Sequence, residues 1–153
     1  MDTKLRLAGV IRESIVDGPG WRLVVFVQGC PHSCKGCQNP HTHSFEGGYD
    51  SSVENILGAV KANALLSGVT LSGGEPFTQA KPLSVLAGAV HDLGLNIITY
   101  TGWTFEQLLQ GADDKNGWLD LLRQTDYLID GKFILEQKSL SLKFRGSTNQ
   151  RII

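Results

Sequence analysis

Apolar and polar positions along the chain predict strands and helices that follow one another in turn. Residues 23–27 are apolar and mostly β-branched, which is typical of a strand buried on both faces. Similar short runs predict strands at 69–72, 96–100 and 127–130, and residues 5–15 predict an earlier strand. Helical spacing and capping residues predict helices at 51–65 (capped by Ser51 or Ser52), 82–93, 104–109 and 118–123.

Strands that alternate with helices favour an α/β fold with a parallel sheet and right-handed crossovers. A complete eight-stranded barrel takes about 250 residues, whereas this chain has 153. We therefore expect a single domain over residues 1–153, built as an open partial (β/α) barrel with a mostly parallel sheet. A flat, doubly wound sheet is the second possibility.

Polar motifs follow each strand of the alternating set. Cys30 follows the first strand, Gly73-Gly74-Glu75-Pro76 the second, Thr101-Gly102 the third and Gly131-Lys132 the fourth. The carboxyl ends of parallel strands share one edge of the sheet, and ligands bind at that edge in open α/β sheets and barrels. The sequence therefore predicts that four turns converge on one pocket.

Composition and charge limit the classes of function. Apolar residues make up 41% and charged residues 19% of the chain, as in globular proteins. The net charge of -1 argues against nucleic acid as a partner, because phosphate neutralisation needs a basic protein. No apolar run approaches the roughly 20 residues of a membrane span, and the first residues lack a signal-peptide core. We expect no membrane partner and a cytoplasmic location.

The three cysteines carry the most chemical information. Cys30, Cys34 and Cys37 lie within eight positions, and an odd number so closely grouped does not form a disulfide framework. Three thiolates supply one ligand fewer than a closed tetrahedral site, which leaves a position open for a bound ligand. A structural zinc site is the alternative, with His32, His41 or His43 as fourth ligand, although zinc sites usually contain a second, distant cysteine pair.

The Gly73-Gly74-Glu75 motif lies one strand away from the cysteines in the predicted sheet. Paired glycines let a ligand approach the backbone closely, and Glu75 beside them offers a carboxylate for an ammonium group. The alternative interpretation is a tight turn without a ligand. Arg22, at the start of the first buried strand, is either part of a surface ion pair or helps to shape the cleft.

These motifs resemble those of a known family. The spacing Cys30-x3-Cys34-x2-Cys37 resembles the cluster motif of radical S-adenosylmethionine enzymes, and Gly73-Gly74-Glu75-Pro76 resembles their methionine-binding motif. The motif at 17–22 is similar to the opening signature of the glycyl-radical-enzyme activases. The motifs at 99–103 and 144–151 are similar to those of the activating proteins of anaerobic ribonucleoside-triphosphate reductase.

The resemblance implies a cofactor, a reaction and a partner. It implies a [4Fe–4S] cluster on Cys30, Cys34 and Cys37, with no catalytic side chain. Reductive cleavage of S-adenosylmethionine would give a 5′-deoxyadenosyl radical that removes a hydrogen atom from a glycine of the large reductase subunit. An electron donor such as flavodoxin is implied. The predicted cofactor-binding residues are Gly73, Gly74, Glu75, Thr101, Gln38 and Asn39.

Other functions remain open at this point. A pyruvate formate-lyase-type activase and a radical S-adenosylmethionine enzyme that acts on a small molecule share the cysteine motif, and a metal-binding module without catalysis is a third class. After Gly131 the chain carries five basic residues and one acidic residue. This segment is either a solvated surface or a docking surface for the reductase, and in the second case we expect Arg145 and Arg151 to be the leading contacts.

Overall fold

One seven-stranded sheet organises the part of the chain that the computed structural model describes, which is residues 4–14, 20–30, 48–131 and 150–153. The strands are β1 (Lys4–Ser14), β2 (Arg22–Val27), β3 (Tyr49–Ser52), β4 (Gly68–Gly73), β5 (Asn96–Tyr100), β6 (Tyr127–Asp130) and β7 (Arg151–Ile152). The helices are α1 (Val53–Lys61), α2 (Ala80–Asp92), α3 (Phe105–Gly111) and α4 (Trp118–Gln124), with a 3₁₀ turn, Pro76–Gln79, before α2. In the described residues, no helix combines the length and apolar character needed to cross a membrane.

The sheet is mixed, with the strand order β3-β1-β2-β4-β5-β6-β7. Strands β2, β4, β5 and β6 are parallel to one another, whereas β1 pairs antiparallel with β2 and β3, and β7 pairs antiparallel with β6. The prediction of a mostly parallel sheet was wrong, because three of the six pairings are antiparallel. The α/β class and the parallel order of the four central strands are confirmed.

The helices pack on one face of the sheet. Alternate strand residues point to this face and form one hydrophobic cluster with residues from all four α-helices. A doubly wound sheet would place helices on both faces, which is not the arrangement of the described helices. The central residues of the cluster are Leu7, Leu23, Val25, Leu71, Leu83, Leu86, Ile97, Leu108 and Leu121.

Local capping decides where the helices begin and end. The Ser52 hydroxyl accepts a hydrogen bond from Asn55 N, and Thr104 forms a capping box with Gln107, so both predicted caps are confirmed. Helix α1 ends at Lys61, before the predicted residue 65. The Asn63 side chain accepts a hydrogen bond from Leu65 N, and such a local turn competes with continuation of the helix.

Arg22 lies at the amino edge of the sheet, where β2 begins, and not at the predicted cleft. Its buried guanidinium donates to Thr70 Oγ1 (2.8 Å) and to the Val69 carbonyl (2.9 Å). Desolvation lowers the pKa of Arg22 to about 10. Gly68 makes room for it, since a Cβ there would lie 2.6 Å from Nη2 of Arg22. Arg22 therefore joins strand ends at the edge opposite Cys30, and neither sequence interpretation foresaw this.

His91 joins the end of α2 to the turn before β6. Its Nδ1 lies 2.8 Å from Gln124 Oε1, and its Nε2 lies 2.8 Å from Asp126 Oδ2. Asp126 Oδ2 also accepts a hydrogen bond from Ile97 N (2.7 Å). Both ring nitrogens face acceptors, so the doubly protonated imidazolium fits best, and the hydrogen bond to Asp126 raises the pKa of His91 above 6.5.

We expect His91 to make the stability of the fold dependent on pH. Because its folded-state pKa is raised, its contribution is complete below pH 6.5 and is lost as the pH rises through the folded pKa. Denaturant unfolding of wild type and His91→Gln between pH 5 and 9 measures the difference. The gap between the two proteins should narrow as the pH rises above 6.5, and a gap that is constant with pH would contradict this assignment.

Candidate functional site

The carboxyl edge of the four parallel strands brings four turns together. Residues 28–30 follow β2, residues 74–75 follow β4, residues 101–103 follow β5 and Gly131 follows β6. Hydrogen bonds connect each turn to the next. The edge is therefore one connected surface, in the place where the order of the sequence motifs predicts a pocket.

The cysteine turn is joined directly to the glycine-glutamate turn. Gly74 N donates to the Val27 carbonyl (2.9 Å), and Glu75 N donates to the Gly29 carbonyl (2.8 Å). Cys30 comes next in the chain, and its side chain is buried, with 9% of its surface exposed. The peptide that precedes Cys30 is thus held by the backbone of the predicted cofactor-binding motif.

Gly73 is required by a close approach of backbone to backbone. Its φ of 101° is unfavourable for other residues, and a Cβ would lie 2.4 Å from Val27 N. The sequence argument assigned the paired glycines to the approach of a ligand, but the space beside Gly73 holds strand β2. Gly74, which is partly exposed, donates its N–H to the same strand.

The Glu75 carboxylate is completely buried and points toward the neighbouring turn. Oε1 accepts a hydrogen bond from Gly102 N (2.7 Å), and Oε2 accepts one from Phe77 N (3.1 Å). The Thr101 hydroxyl lies 2.9 Å from both oxygens and donates to them. The side chain therefore connects the end of β4 to the turn that follows β5, and that turn is closed by Trp103 N, which donates to Thr101 Oγ1 (3.1 Å).

A second buried carboxylate continues the network at β6. Asp130 is 1% exposed and accepts a hydrogen bond from Phe105 N (2.8 Å), at the start of α3. Gly131 N donates to the Trp103 carbonyl (2.9 Å), so the turns after β5 and β6 are also joined. Sequence reasoning missed Asp130, because an acidic residue at a strand end is not distinctive without knowledge of its partner.

Arg151 is the partner of Asp130. Its Nε donates to Asp130 Oδ1 (3.0 Å), its Nη2 also bonds Asp130, and Nη1 and Nη2 donate to the two carboxylate oxygens of Glu106 (3.0 and 2.7 Å). The hydrogen bonds from Arg151 lower the pKa of Glu106. Gln150 Nε2 donates to the Gly131 carbonyl (3.0 Å). If the basic segment is a docking surface, Arg151 is an expected contact; in the structure its guanidinium bonds Asp130 and Glu106.

Several predicted site residues lie outside the described residues. They are Cys34, Cys37, Gln38 and Asn39, the histidines of the zinc alternative (His32, His41 and His43), and Arg145. Of the three predicted cluster ligands, only Cys30 lies within the described residues. Thiolates are the ligands of iron–sulfur clusters, and Cys30 lies at the edge of the sheet where ligands bind in α/β folds, so Cys30 fits such a group.

An open groove of about 400 Å³ lies between the 3₁₀ turn, the first turn of α2 and the start of α4. Its lining includes Phe77, Lys81, Lys115 and Trp118, and neither Cys30 nor Glu75. Trp118 Nε1 donates to the Phe77 carbonyl (2.9 Å), which ties α4 to the 3₁₀ turn. The groove therefore belongs to the helical layer and is separate from the carboxyl edge.

Comparison with known proteins gives consistent matches. The family model described as "4Fe-4S single cluster domain" matches residues 16–153. The anaerobic ribonucleoside-triphosphate reductase-activating protein of Vibrio cholerae is 39% identical over 147 residues, and that of Haemophilus influenzae is 38% identical over 149. Each alignment covers 90% of this chain and 90% of the relative. The protein of the same name from Enterobacteria phage T4 is 34% identical, over 90% of this chain and 86% of the relative.

A solved structure shares the fold. The crystal structure of QueE from Escherichia coli superposes with a TM-score of 0.52 and 18% sequence identity. The superposition covers 66% of this chain and 53% of QueE. At this identity the similarity shows the arrangement of the elements alone.

We expect Gly73→Ala to destabilise the protein by about 2–5 kcal/mol, because the methyl group meets the backbone of β2 at an unfavourable φ. Gly58→Ala is the matched control, since no atom lies within 4 Å of a Cβ at that position in α1. The control should stabilise by about 0.4–1 kcal/mol. Urea unfolding measures both values, and equal effects of the two substitutions would contradict the close approach.

Arg151→Gln should lower the thermal unfolding midpoint, because it leaves the buried Asp130 carboxylate without its cation. Arg12→Gln is the control, at an exposed position of β1. It should have little effect, as is usual for surface substitutions. If both variants have the same unfolding midpoint as wild type, Arg151 does not stabilise the edge of the sheet at β6.

Proposed function

The chain belongs to the family of anaerobic ribonucleoside-triphosphate reductase-activating proteins, and we propose that it generates a glycyl radical on that reductase at the expense of S-adenosylmethionine. The observation that carries this proposal is the hydrogen bond from Glu75 N to the Gly29 carbonyl (2.8 Å). It joins the turn that begins the cysteine motif to the turn that resembles a methionine-binding motif.

Cys30, Cys34 and Cys37 would hold a [4Fe–4S] cluster with one iron free of protein ligands. When bound there and reduced by an external one-electron donor, the cluster would provide the chemistry for reductive cleavage of S-adenosylmethionine to methionine and a 5′-deoxyadenosyl radical, and that radical would take a hydrogen atom from the reductase glycine. The protein itself provides position and exclusion of water. This role is supported by the burial of Cys30 and by the hydrogen bonds that Gly74 N and Glu75 N donate to the carbonyls of Val27 and Gly29.

The S-adenosylmethionine site is proposed at the same edge. The predicted residues Gly73, Gly74, Glu75 and Thr101 come from two adjacent turns that share hydrogen bonds, which supports a common site. Gln38 and Asn39 belong to the proposal through the resemblance of their motif alone. No catalytic side chain is assigned, because the cofactors carry the chemistry.

Three finer points belong to the same proposal. We infer an open partial barrel, which is supported by the helices on one face and by buried Val24, Ile98 and Ile129 on the other. The physiological reductant would be a one-electron donor such as flavodoxin. A cytoplasmic location is consistent with clustered thiols, which persist in reducing compartments.

The names of the relatives favour the reductase over a pyruvate formate-lyase-type or small-molecule alternative.

Anaerobic reconstitution with iron and sulfide tests the cofactor. We expect about four irons per chain, and formation of 5′-deoxyadenosine from S-adenosylmethionine with a chemical reductant. Cys30→Ala should abolish that product, because one thiolate ligand is lost. Circular dichroism of the variant shows whether the fold is intact. Protein that carries zinc alone after anaerobic purification would contradict the cluster assignment.

The partner requires a second measurement. Reconstituted wild type, mixed with anaerobic ribonucleoside-triphosphate reductase, S-adenosylmethionine and reductant, should give an organic radical signal in electron paramagnetic resonance. Cys30→Ala should give none. Formation of 5′-deoxyadenosine by wild type without any radical on the reductase would retain the cofactor chemistry and reject the reductase as partner.

A further inference from the structure

We propose that Glu75 is a positioning residue, which acts on S-adenosylmethionine through the turn after β5 and not by direct contact with the ammonium group. This inference rests on the proposed function and assigns a different role to the carboxylate from the one that its motif suggests.

The first observation is burial. Glu75 has no exposed surface, and its carboxylate accepts hydrogen bonds from Phe77 N, Gly102 N and the Thr101 hydroxyl. Hydrogen bonds to an ionised carboxylate are stronger than neutral ones, and a buried donor that loses its acceptor is costly. An ammonium group would have to displace these donors, which belong to the fold itself.

The second observation is the position of Glu75 between two turns. Its N–H bonds the Gly29 carbonyl beside Cys30, while its carboxylate bonds the Thr101–Gly102 peptide region after β5. One residue therefore sets the spacing between the cysteine turn and the β5 turn. A ligand that bridges the cluster position and the β5 turn would depend on that spacing to within a fraction of an ångström.

The third observation is that the Thr101 hydroxyl is already committed. It donates to Glu75 and accepts from Trp103 N (3.1 Å), so it transmits the position of the carboxylate to the next residue of the turn. Thr101 was predicted as a cofactor-binding residue. In this arrangement it contributes through the shape of the turn, together with Glu75, and the two side chains act as one unit.

Equilibrium binding of S-adenosylmethionine to anaerobically reconstituted protein tests the proposal. Glu75→Gln keeps the shape but places an amide NH₂ against a backbone N–H donor, and Thr101→Val removes the hydroxyl at nearly constant volume. We expect each to raise Kd about tenfold, and the double variant to raise it about tenfold as well, because residues that act as a unit are not additive. Thr101→Ser should restore binding to within about twofold of wild type.

Thr99→Val is the matched control. Thr99 is equally buried on β5, but its hydroxyl bonds Thr125 Oγ1 (2.9 Å) on the side of the helices. It should leave Kd within about twofold of wild type. Thermal unfolding of every variant, measured in parallel, separates loss of binding from loss of the fold. Should Glu75→Gln not fold, the comparison of Thr101→Val, Thr101→Ser and Thr99→Val still decides the question.

The outcomes are distinct. Weaker binding in Glu75→Gln with unchanged binding in Thr101→Val would mean direct contact by Glu75 and overturn the proposal. Multiplied effects in the double variant would overturn it as well, since they show independent roles. Wild-type protein that does not bind S-adenosylmethionine at all would reject the proposed function, whereas normal wild-type binding with an unaffected Thr101→Val rejects this inference alone.

Discussion

A buried carboxylate needs hydrogen-bond donors, and the structure of the carboxyl edge follows from how Glu75 obtains them. Its donors are on the 3₁₀ turn that follows it and on the turn after the neighbouring strand. Because Glu75 N also bonds the peptide before Cys30, the ends of three parallel strands share one set of hydrogen bonds. Gly73 makes this possible, since only a residue without a side chain lets β4 approach β2 so closely.

Asp130, two strands further along the sheet, repeats the same solution. Its buried carboxylate accepts a hydrogen bond from Phe105 N, at the start of α3, and another from the guanidinium of Arg151 in β7. These bonds join the end of β6 to α3 and β7. The turn at 101–103 is held by the Glu75 carboxylate on one side and by the Gly131 N–H on the other. Both carboxylates therefore hold the carboxyl edge through hydrogen bonds to neighbouring elements.

The pattern of apolar residues was sufficient for the parallel strands, which are short runs buried on both faces, and for the helices, whose apolar residues recur at helical spacing. The parallel order of the four central strands was enough to predict that the motifs after them lie at one edge of the sheet. The sequence could not reveal β3 and β7, since each is short and pairs only through partners distant in the chain. Nor could it reveal what Glu75 and Arg22 bond, because a charged residue next to a glycine or at a strand start is compatible with ligand, ion pair or backbone. For such residues, the partner is defined only by the assembled sheet.

If the carboxyl edge holds the cofactors as proposed, a hydrogen atom passes from a glycine of the reductase to the 5′-deoxyadenosyl group. Reductase prepared with glycine deuterated at Cα tests it most directly. Incubation with the reconstituted protein, S-adenosylmethionine and reductant should yield 5′-deoxyadenosine that carries one deuterium atom. In parallel, a single glycine of the reductase should lose deuterium. Unlabelled 5′-deoxyadenosine, formed while the reductase keeps all of its deuterium, would contradict the claim.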